Sequence, residues 1–194
     1  MNPTSRYSHI AITLHWVIAI LLVGMVFYGW YMEGVRDALF AGDATLEDVR
    51  SVYNTHKTVG LVILVLSLGR LAWRLTHPVP AMPEGMKPWE RMAAHATHWT
   101  FYAIMIGMPI GGWVAASSSE EPSWLLNNPD LVLPRLPVPQ SEGFHELAGS
   151  AHGAGGWVIL ILLGLHVAAA LKHQFLDGDN LLARMLPFLK GSKG

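Results

Sequence analysis

The sequence predicts an all-α membrane protein, a bundle of four transmembrane helices in a single domain of residues 1–194. Hydrophobic residues make up 52% of the chain and charged residues 14%, well below the roughly 25% that is usual in a soluble domain. Four apolar stretches reach the ~20 residues that a helix needs to cross a bilayer. The chain also holds ten histidines and no cysteine, although histidine is costly in lipid unless it is ligated or paired.

The four helices are predicted near residues 10–32, 55–75, 94–116 and 151–171. The first stretch is long enough to span, and no small-residue cleavage site follows it, so we expect a retained helix rather than a signal peptide. Residues 117–150 contain five prolines, which prevent a continuous helix. They are predicted to form a long outer loop, with the apolar segments 124–126 and 131–133 lying over the outer surface.

The loop charges predict the orientation. Nine of the 13 basic residues lie in the N-terminus, the second loop and the C-terminal tail: Arg6, Arg70, Arg74, Lys87, Arg91, Lys172, Arg184, Lys190 and Lys193. The positive-inside rule therefore places both termini in the cytoplasm. Ten of the 14 acidic residues lie in the first and third loops, which makes the outer face net negative. With a net charge of −1 and no basic face, no nucleic-acid partner is expected.

Two histidines of the fourth helix have a spacing that suits two cofactors. His152 and His166 are fourteen residues apart, which is about 40° short of four full turns, so both side chains share one face. The rise between them is about 21 Å, which places one near each edge of a hydrocarbon core of about 30 Å. One helix is therefore predicted to supply a ligand to each of two haems, one per leaflet.

Each haem needs a second axial ligand at the same depth. His15 matches His166 near the cytoplasmic ends of their helices, and His56 matches His152 at the outer face. His145 lies 21 residues before His166, more than about 30 Å along a helix, and is rejected as a ligand. Ligation by two histidines leaves no open position on iron and favours outer-sphere electron transfer. The alternative is that single histidines are hydrogen-bonded core residues or interfacial anchors.

The remaining histidines near the cytoplasmic interface allow two interpretations. With the neighbouring arginines and Lys172, they either anchor lipid head groups or form a quinone pocket, in which imidazole and guanidinium bind the carbonyls and relay protons. The candidate quinone residues are His98, His173, Arg74, Arg6 and Ser8. His95 and His98, three residues apart, are also a candidate metal pair, but no third ligand is evident.

Several motifs together resemble the bacterial cytochrome b561 family. They are residues 12–16 (ITLHW), 55–60 (THKTVG), 69–75 (GRLAWRL), 95–98 (HATH), 109–111 (PIG), 164–175 (GLHVAAALKHQF) and 177–184 (DGDNLLAR). The resemblance covers nearly the whole chain. It implies a four-helix bundle in the bacterial inner membrane with two b-type haems, ligated by His15, His56, His152 and His166, and a quinone such as ubiquinone as a common partner.

Three functions remain open. The first is electron transfer between a periplasmic redox protein, such as a c-type cytochrome or a dehydrogenase, and membrane quinone. The second is a superoxide oxidase that acts alone, an activity that the family resemblance also implies. The third is a non-catalytic haem sensor or structural subunit. The acidic outer loops favour a basic protein partner and would repel the superoxide anion.

Overall fold

A computed structural model of the chain describes residues 6–186, and this part of the chain is helical with no β-strand. Four long helices dominate it: α1 (His9–Ala41), α2 (Leu46–Thr76), α3 (Pro88–Ser117) and α4 (Glu142–Phe175). We call the end of the bundle where α1 begins and α4 ends the terminal end. The opposite end, which carries the α1–α2 turn and the α3–α4 loop, is the loop end.

All four helices are long and apolar enough to cross a membrane. Their outward surfaces carry large apolar side chains in full contact with the surroundings, among them Ile20, Val65 and Ile161, each more than 60% exposed. A water-soluble protein rarely leaves so much continuous apolar surface uncovered, whereas a helix in lipid satisfies its own backbone and needs no cover. The predicted fold class is therefore confirmed.

The helices extend beyond the apolar stretches from which they were predicted. α1 continues to Ala41, α2 begins at Leu46 and α4 begins at Glu142, so each is about nine residues longer at its loop end than hydropathy indicated. Hydropathy identifies the part of a helix that lies in the hydrocarbon core. The helix itself continues until a capping residue or a helix breaker ends it. The outer loop, predicted at 117–150, is correspondingly shorter because its last quarter is the start of α4.

Explicit caps account for the tight α1–α2 turn. Gly42 ends α1 in the left-handed conformation, at φ 86°, which glycine adopts without steric cost. Three residues later Thr45 begins α2 in a capping box: its hydroxyl accepts from the backbone N–H of Asp48, and the Asp48 carboxylate accepts from the backbone N–H of Thr45. The short turn makes α1 and α2 an antiparallel hairpin.

Helix α4 stands apart from half of the bundle. The backbones of α1 and α2, of α2 and α3, and of α3 and α4 lie close together, whereas within residues 6–186 the α4 backbone approaches α1 at few points and α2 hardly at all. A small core of Ile18, Tyr102 and Met105 lies in the terminal half. The space between α4 and the α1–α2 hairpin is where the histidines of these helices meet.

The α3–α4 loop is fastened to the side of α2. The backbone N–H of Trp124 donates to Asn54 Oδ1 at 3.0 Å, and that of Leu126 donates to Thr58 Oγ1 at 2.9 Å. Lys57 Nζ donates to Ser123 Oγ at 2.8 Å. The two apolar segments expected to cap the outer surface are joined by an isolated β-bridge. The loop thus covers the part of α2 that carries His56.

The chain after α4 closes the terminal end. Trp16 Nε1 donates to the carbonyl of Met185 at 2.9 Å, which ties the tail to α1. Lys172 bridges Glu90 at 2.7 Å and Asp177 at 2.6 Å, which joins α4 to the start of α3. The hydrogen bond from the Lys172 ammonium holds the pKa of the Asp177 carboxyl below its ordinary value.

We predict that Asn54→Ala releases the loop. Asn54 is only 3% exposed, so its loss leaves the Trp124 N–H buried without its acceptor, at a cost of about 1–3 kcal/mol. Hydrogen exchange of residues 123–133 should then accelerate by roughly tenfold or more. The matched control is Asn128→Ala, which removes an exposed amide that accepts from Asp130 within the loop. Equal exchange in the two variants would contradict the role given to Asn54.

Candidate haem centres

The first candidate site lies in the loop-end half of the bundle and consists of His56 on α2 and His152 on α4. The two imidazole centres are 5.9 Å apart, and the rings are nearly perpendicular, at 80°. α2 and α4 both run from the loop end to the terminal end, and each histidine lies about three turns inside the start of its helix. Equal depth on parallel helices brings the two rings close together across the gap beside α4.

The spacing of this loop-end pair fits a shared metal. Two imidazoles that bind one metal through ring nitrogens at about 2 Å, with each ring centre a further ~1 Å away, have centres about 6 Å apart. Nδ1 of His56 and Nδ1 of His152 are also buried without a hydrogen-bond partner in the described part of the chain. Buried polar atoms are normally paired, so these two imidazoles are free to interact with a further group, such as a bound metal or cofactor.

A glycine of α3 makes room for His152. A Cβ on Gly112 would lie 2.9 Å from His152 Cε1, closer than real side chains approach. α3 therefore passes directly behind the His152 ring, and only a residue without a side chain fits there. The ring cannot move back from the α4–α2 gap without meeting the α3 backbone.

The second candidate site lies in the terminal-end half and contains three histidines. His166 on α4 has the ring of His15 on α1 at 6.4 Å and the ring of His98 on α3 at 5.8 Å, centre to centre. Phe101 packs edge-on against His166 at 5.4 Å. We call His15, His98 and His166 the terminal-end trio. The structure thus brings together the predicted pair His15 and His166, and it adds His98, which the sequence suggested for quinone binding.

Arg70 contacts the trio directly. Its Nη1 lies 2.9 Å from His15 Nδ1, and since a guanidinium has no acceptor, the arginine donates and the ring nitrogen accepts. Sequence reasoning treated Arg70 only as one of the basic residues of the cytoplasmic side. A signal was present, because Arg70 follows His56 by fourteen residues, the same one-face spacing that relates His152 to His166.

The other predicted quinone residues also lie at the terminal end, in different surroundings. The Arg74 guanidinium lies 6.0 Å from the ring centre of Tyr102. Ser8 caps the start of α1 and accepts from Trp73 Nε1 at 3.1 Å, and Arg6 lies just before it. His173 instead turns toward the tail, with Nδ1 2.9 Å from a carboxylate oxygen of Asp179. Asp179 lies in the 177–184 motif, but no site role was predicted for it.

His145, which the spacing argument rejected as a ligand, has other contacts. It is in the first turn of α4, and its Nδ1 lies 3.1 Å from both the Ala115 carbonyl and Ser118 Oγ at the end of α3. These contacts hold the ring at the rim of the bundle, away from the gap that contains His56 and His152. Its role in the structure is to join the start of α4 to the end of α3.

Comparison with known proteins identifies the family of this four-helix bundle. The family model described as prokaryotic cytochrome b561 matches residues 6–188. Cytochrome b561 homolog 2 of Escherichia coli (strain K12) is 28% identical over 189 residues, which are 95% of this chain and 93% of the relative. The probable superoxide oxidase CybB of Yersinia pestis is 28% identical over 96% of this chain and 98% of its own length. Cytochrome b562 of Cereibacter sphaeroides is 29% identical over 96% and 98%. The chain therefore belongs to the prokaryotic cytochrome b561 family, whose members are haem-binding helical bundles of the membrane.

Proposed function

We propose that this chain carries electrons across the bacterial inner membrane between a periplasmic redox protein and membrane quinone, with two haem b groups held by histidine pairs. Family membership establishes the coarser statement, a haem-binding electron-transfer cytochrome of the membrane. The observation that carries the finer one is the pair of candidate sites on a single face of α4. Their histidines meet partners from α1 and α2 at metal-bridging distance.

The proposed axial ligands are His56 and His152 for one haem iron and His15 and His166 for the other. When bound, haem supplies reversible one-electron transfer. Two imidazoles would hold each iron, and this ligation would leave no coordination position open for a substrate. The rise between His152 and His166 along α4 is about 21 Å, so the two sites would lie near opposite edges of a hydrocarbon core of about 30 Å.

Each site also has a basic side chain beside a ligand. Arg70 hydrogen bonds His15, and Lys57 adjoins His56 in sequence while its ammonium is held by Ser123. Haem carries two carboxylates, and a cation in a half-buried setting stabilises such groups more strongly than one in water. We assign Arg70 and Lys57 the role of counter-charges at the terminal-end and loop-end sites.

The proposed orientation puts the terminal end in the cytoplasm. Of the described basic residues, Arg36, Arg50, Lys57 and Arg135 belong to the loop-end half, and the other seven lie toward the terminal end; Lys190 and Lys193, which also support this orientation, lie outside the described residues. This asymmetry follows the positive-inside rule. Reporter fusions to the C-terminus should be active in the cytoplasm, and a fusion active only in the periplasm would reverse the assignment.

We place quinone at the terminal end, next to the trio. His98, Arg74, Arg6, Ser8 and His173 are the candidate residues, because imidazole, hydroxyl and guanidinium donate to quinone carbonyls and an imidazole also transfers protons. Arg74 supports the assignment most directly, since it shares Tyr102 with Arg70 and so lies close to the trio. His173, bonded to Asp179, is suited to bring protons from the aqueous side.

The loop end is the proposed docking surface for the redox partner. Ten acidic residues and four basic ones belong to this half of the chain, and two of the basic ones are already paired, Arg36 with Glu33 and Arg50 with Glu121. The remaining excess of carboxylates suits a basic partner such as a c-type cytochrome. A periplasmic dehydrogenase with a basic face would fit equally.

A second candidate function is superoxide oxidation by the chain alone, which the name of the Yersinia pestis relative favours. The acidic loop end opposes it, because an anion approaches a negative surface slowly. Fast haem reduction by superoxide generated in solution would decide for this function. Haems that exchange electrons with neither superoxide nor quinol would instead point to a sensor or structural subunit.

We predict two low-spin haems in the purified protein. His152→Ala should remove the loop-end haem and spare the other, and His166→Ala should do the reverse, because each takes away the α4 ligand of one site. A pyridine haemochrome count with a redox titration measures both effects. His145→Ala is the matched control on the same helix, expected to keep both haems. One haem in the unaltered protein, or a high-spin ferric spectrum, would refute the two-site arrangement.

We predict that Arg74→Gln slows reoxidation of the haems by a soluble quinone analogue by about tenfold, equivalent to about 1.4 kcal/mol in the activation free energy. The reason is the loss of a cationic donor to the quinone carbonyl beside the trio. The control is Arg91→Gln, which removes the same charge from an exposed position at the start of α3. Both haem spectra should stay unchanged. Equal reoxidation rates in the two variants would show that quinone does not bind next to Arg74.

A further inference from the structure

Residues 123–133 of the α3–α4 loop, which we call the side loop, lie beside α2 rather than above it. The side loop runs along α2 as far as Thr58, whose hydroxyl accepts from the backbone N–H of Leu126. It then turns back toward the loop end, where the Asn127 amide donates to Thr55 Oγ1 at 3.1 Å. Thr58 is twelve residues from the start of α2, a rise of about 18 Å. The side loop therefore descends well along the side of a membrane-spanning helix.

The depth that the side loop reaches can be read from α1. Gly29 of α1 lies level with His56 of α2, since a Cβ on Gly29 would be 3.8 Å from His56 Cε1. The first carboxylate of α1, Glu33, comes four residues after Gly29, toward the loop end. Thr58 lies two residues beyond His56 in the opposite direction. The side loop thus reaches about six residues, or roughly 9 Å, deeper than that carboxylate.

The backbone of the side loop has the hydrogen bonds that lipid demands. Non-helical backbone at membrane depth is tolerated only where protein or trapped water satisfies its polar groups. The N–H of Leu125 donates to the carbonyl of Leu131 at 2.8 Å, and the N–H of Leu131 donates to the carbonyl of Asn128 at 3.0 Å. The N–H of Leu133 donates to the carbonyl of Ser123 at 2.9 Å. These bonds, with those to α2, suit a loop that contacts hydrocarbon.

An apolar groove of about 420 Å³ lies between the side loop and α2. Leucine and valine side chains of both elements line it, together with Thr58. The Thr58 hydroxyl is already engaged, because it donates to the carbonyl of Asn54 at 2.8 Å and accepts from Leu126. The groove continues into the lipid-facing surface of α2 at Val62 and Val65, both exposed. A hydrocarbon chain is the ligand that needs no polar partner, and acyl chains surround this face of a membrane-spanning helix.

The conformation of Leu126 also points to lipid. Its backbone is in the left-handed region, at φ 55° and ψ 25°, which is unfavourable for leucine. Its side chain lines the groove and is 71% exposed. In water this position would combine backbone strain with apolar exposure, whereas contact with acyl chains removes the second cost. Asp130, exposed at the turn of the side loop, keeps that turn near the head groups, because a carboxylate in hydrocarbon is costly.

We propose that the side loop is inserted in the leaflet at the loop end, where the groove binds one acyl chain of a membrane phospholipid against α2. This inference rests on the membrane fold and is independent of the proposed electron transfer. The bound chain would complete the cover over the part of α2 that carries His56. The loop would then be a lipid-anchored side wall of the bundle, although its sequence position predicts an aqueous cap.

The first test uses the absence of cysteine from the chain, which lets each single-cysteine variant carry one nitroxide label. Leu126→Cys is compared, in phosphatidylcholine liposomes, with Val65→Cys on the lipid face of α2 and Glu47→Cys in its exposed first turn. The label at position 126 should match that at 65 in its accessibility to oxygen, which concentrates in lipid. It should be several-fold less accessible than the label at 47 to a water-soluble nickel chelate. Equal nickel accessibility at 126 and 47 would place the side loop in water and overturn the proposal.

The second test fills the groove with Val62→Trp. The matched control is Val158→Trp, which makes the same change on the lipid face of α4. The two valines are similarly exposed, 46% and 51%, and lie at equal depth, since each follows one of the level histidines His56 and His152 by six residues. With spin-labelled phosphatidylcholine, Val62→Trp should show a smaller motionally restricted fraction than Val158→Trp, by the equivalent of a single chain per protein.

The other outcomes of this test also decide. Equal restricted fractions in the two tryptophan variants would overturn the binding of an acyl chain in the groove. If the unaltered protein is a dimer that Val62→Trp converts to a monomer, while Val158→Trp stays dimeric, a second copy of this chain occupies the groove instead of lipid. Circular dichroism checks that both variants are folded. If Val62→Trp does not fold, the nickel accessibility at position 126 decides the proposal.

Discussion

An imidazole inside a bilayer needs a polar partner. Helix α4 carries two such imidazoles, His152 and His166, on one face. This requirement accounts for the arrangement of the bundle around α4. The helix packs closely on α3, where Gly112 lets the backbone pass directly behind His152, and it faces the α1–α2 hairpin across a gap that is lined by histidines rather than closed by backbone contact. Lipid solvates apolar side chains about as well as a neighbouring helix does, so apolar contacts such as Trp30 on Trp157 hold α4 to the hairpin only through close packing. A metal between facing imidazoles would add a polar link between these helices.

The two ends of the bundle are closed by different chemistry. At the loop end, Asn54 and Thr58 accept hydrogen bonds from the backbone of the α3–α4 loop, and the Lys57 ammonium donates to Ser123. At the terminal end, the closure is ionic, with Lys172 between Glu90 and Asp177. Neutral bonds resist salt, whereas exposed ion pairs weaken with ionic strength. Protons exchanged with quinone would pass through the terminal end, and a charged, hydrated surface is suited to proton transfer.

Much of the fold followed from sequence, since four apolar stretches and a fourteen-residue histidine spacing depend only on local periodicity. The helix ends did not, because Thr45 and Asp48 cap α2 ten residues before the first strongly apolar segment and hydropathy does not register a cap. The position of His98 in the trio was also inaccessible, since the spacing on α4 says nothing about how α3 is rotated against it. The inward position of Arg70 could have been predicted, because its spacing from His56 places it on the same face of α2. Its contact with His15 could not. The anchoring of Trp124 to Asn54 joins residues 70 positions apart and has no local signal.

The contribution of α4 to both sites has a consequence for how the protein is made. Helices enter the membrane in the order of synthesis, and α4 is the last of the four to emerge from the ribosome. Until it is inserted, His15 and His56 lie on a hairpin that lacks the opposing imidazoles. Neither histidine pair can form during translation of the first three helices, so a haem held by these pairs would be captured only by the finished chain. Until then His15 keeps Arg70 of α2 as a polar partner, whereas His56 lacks its opposing imidazole.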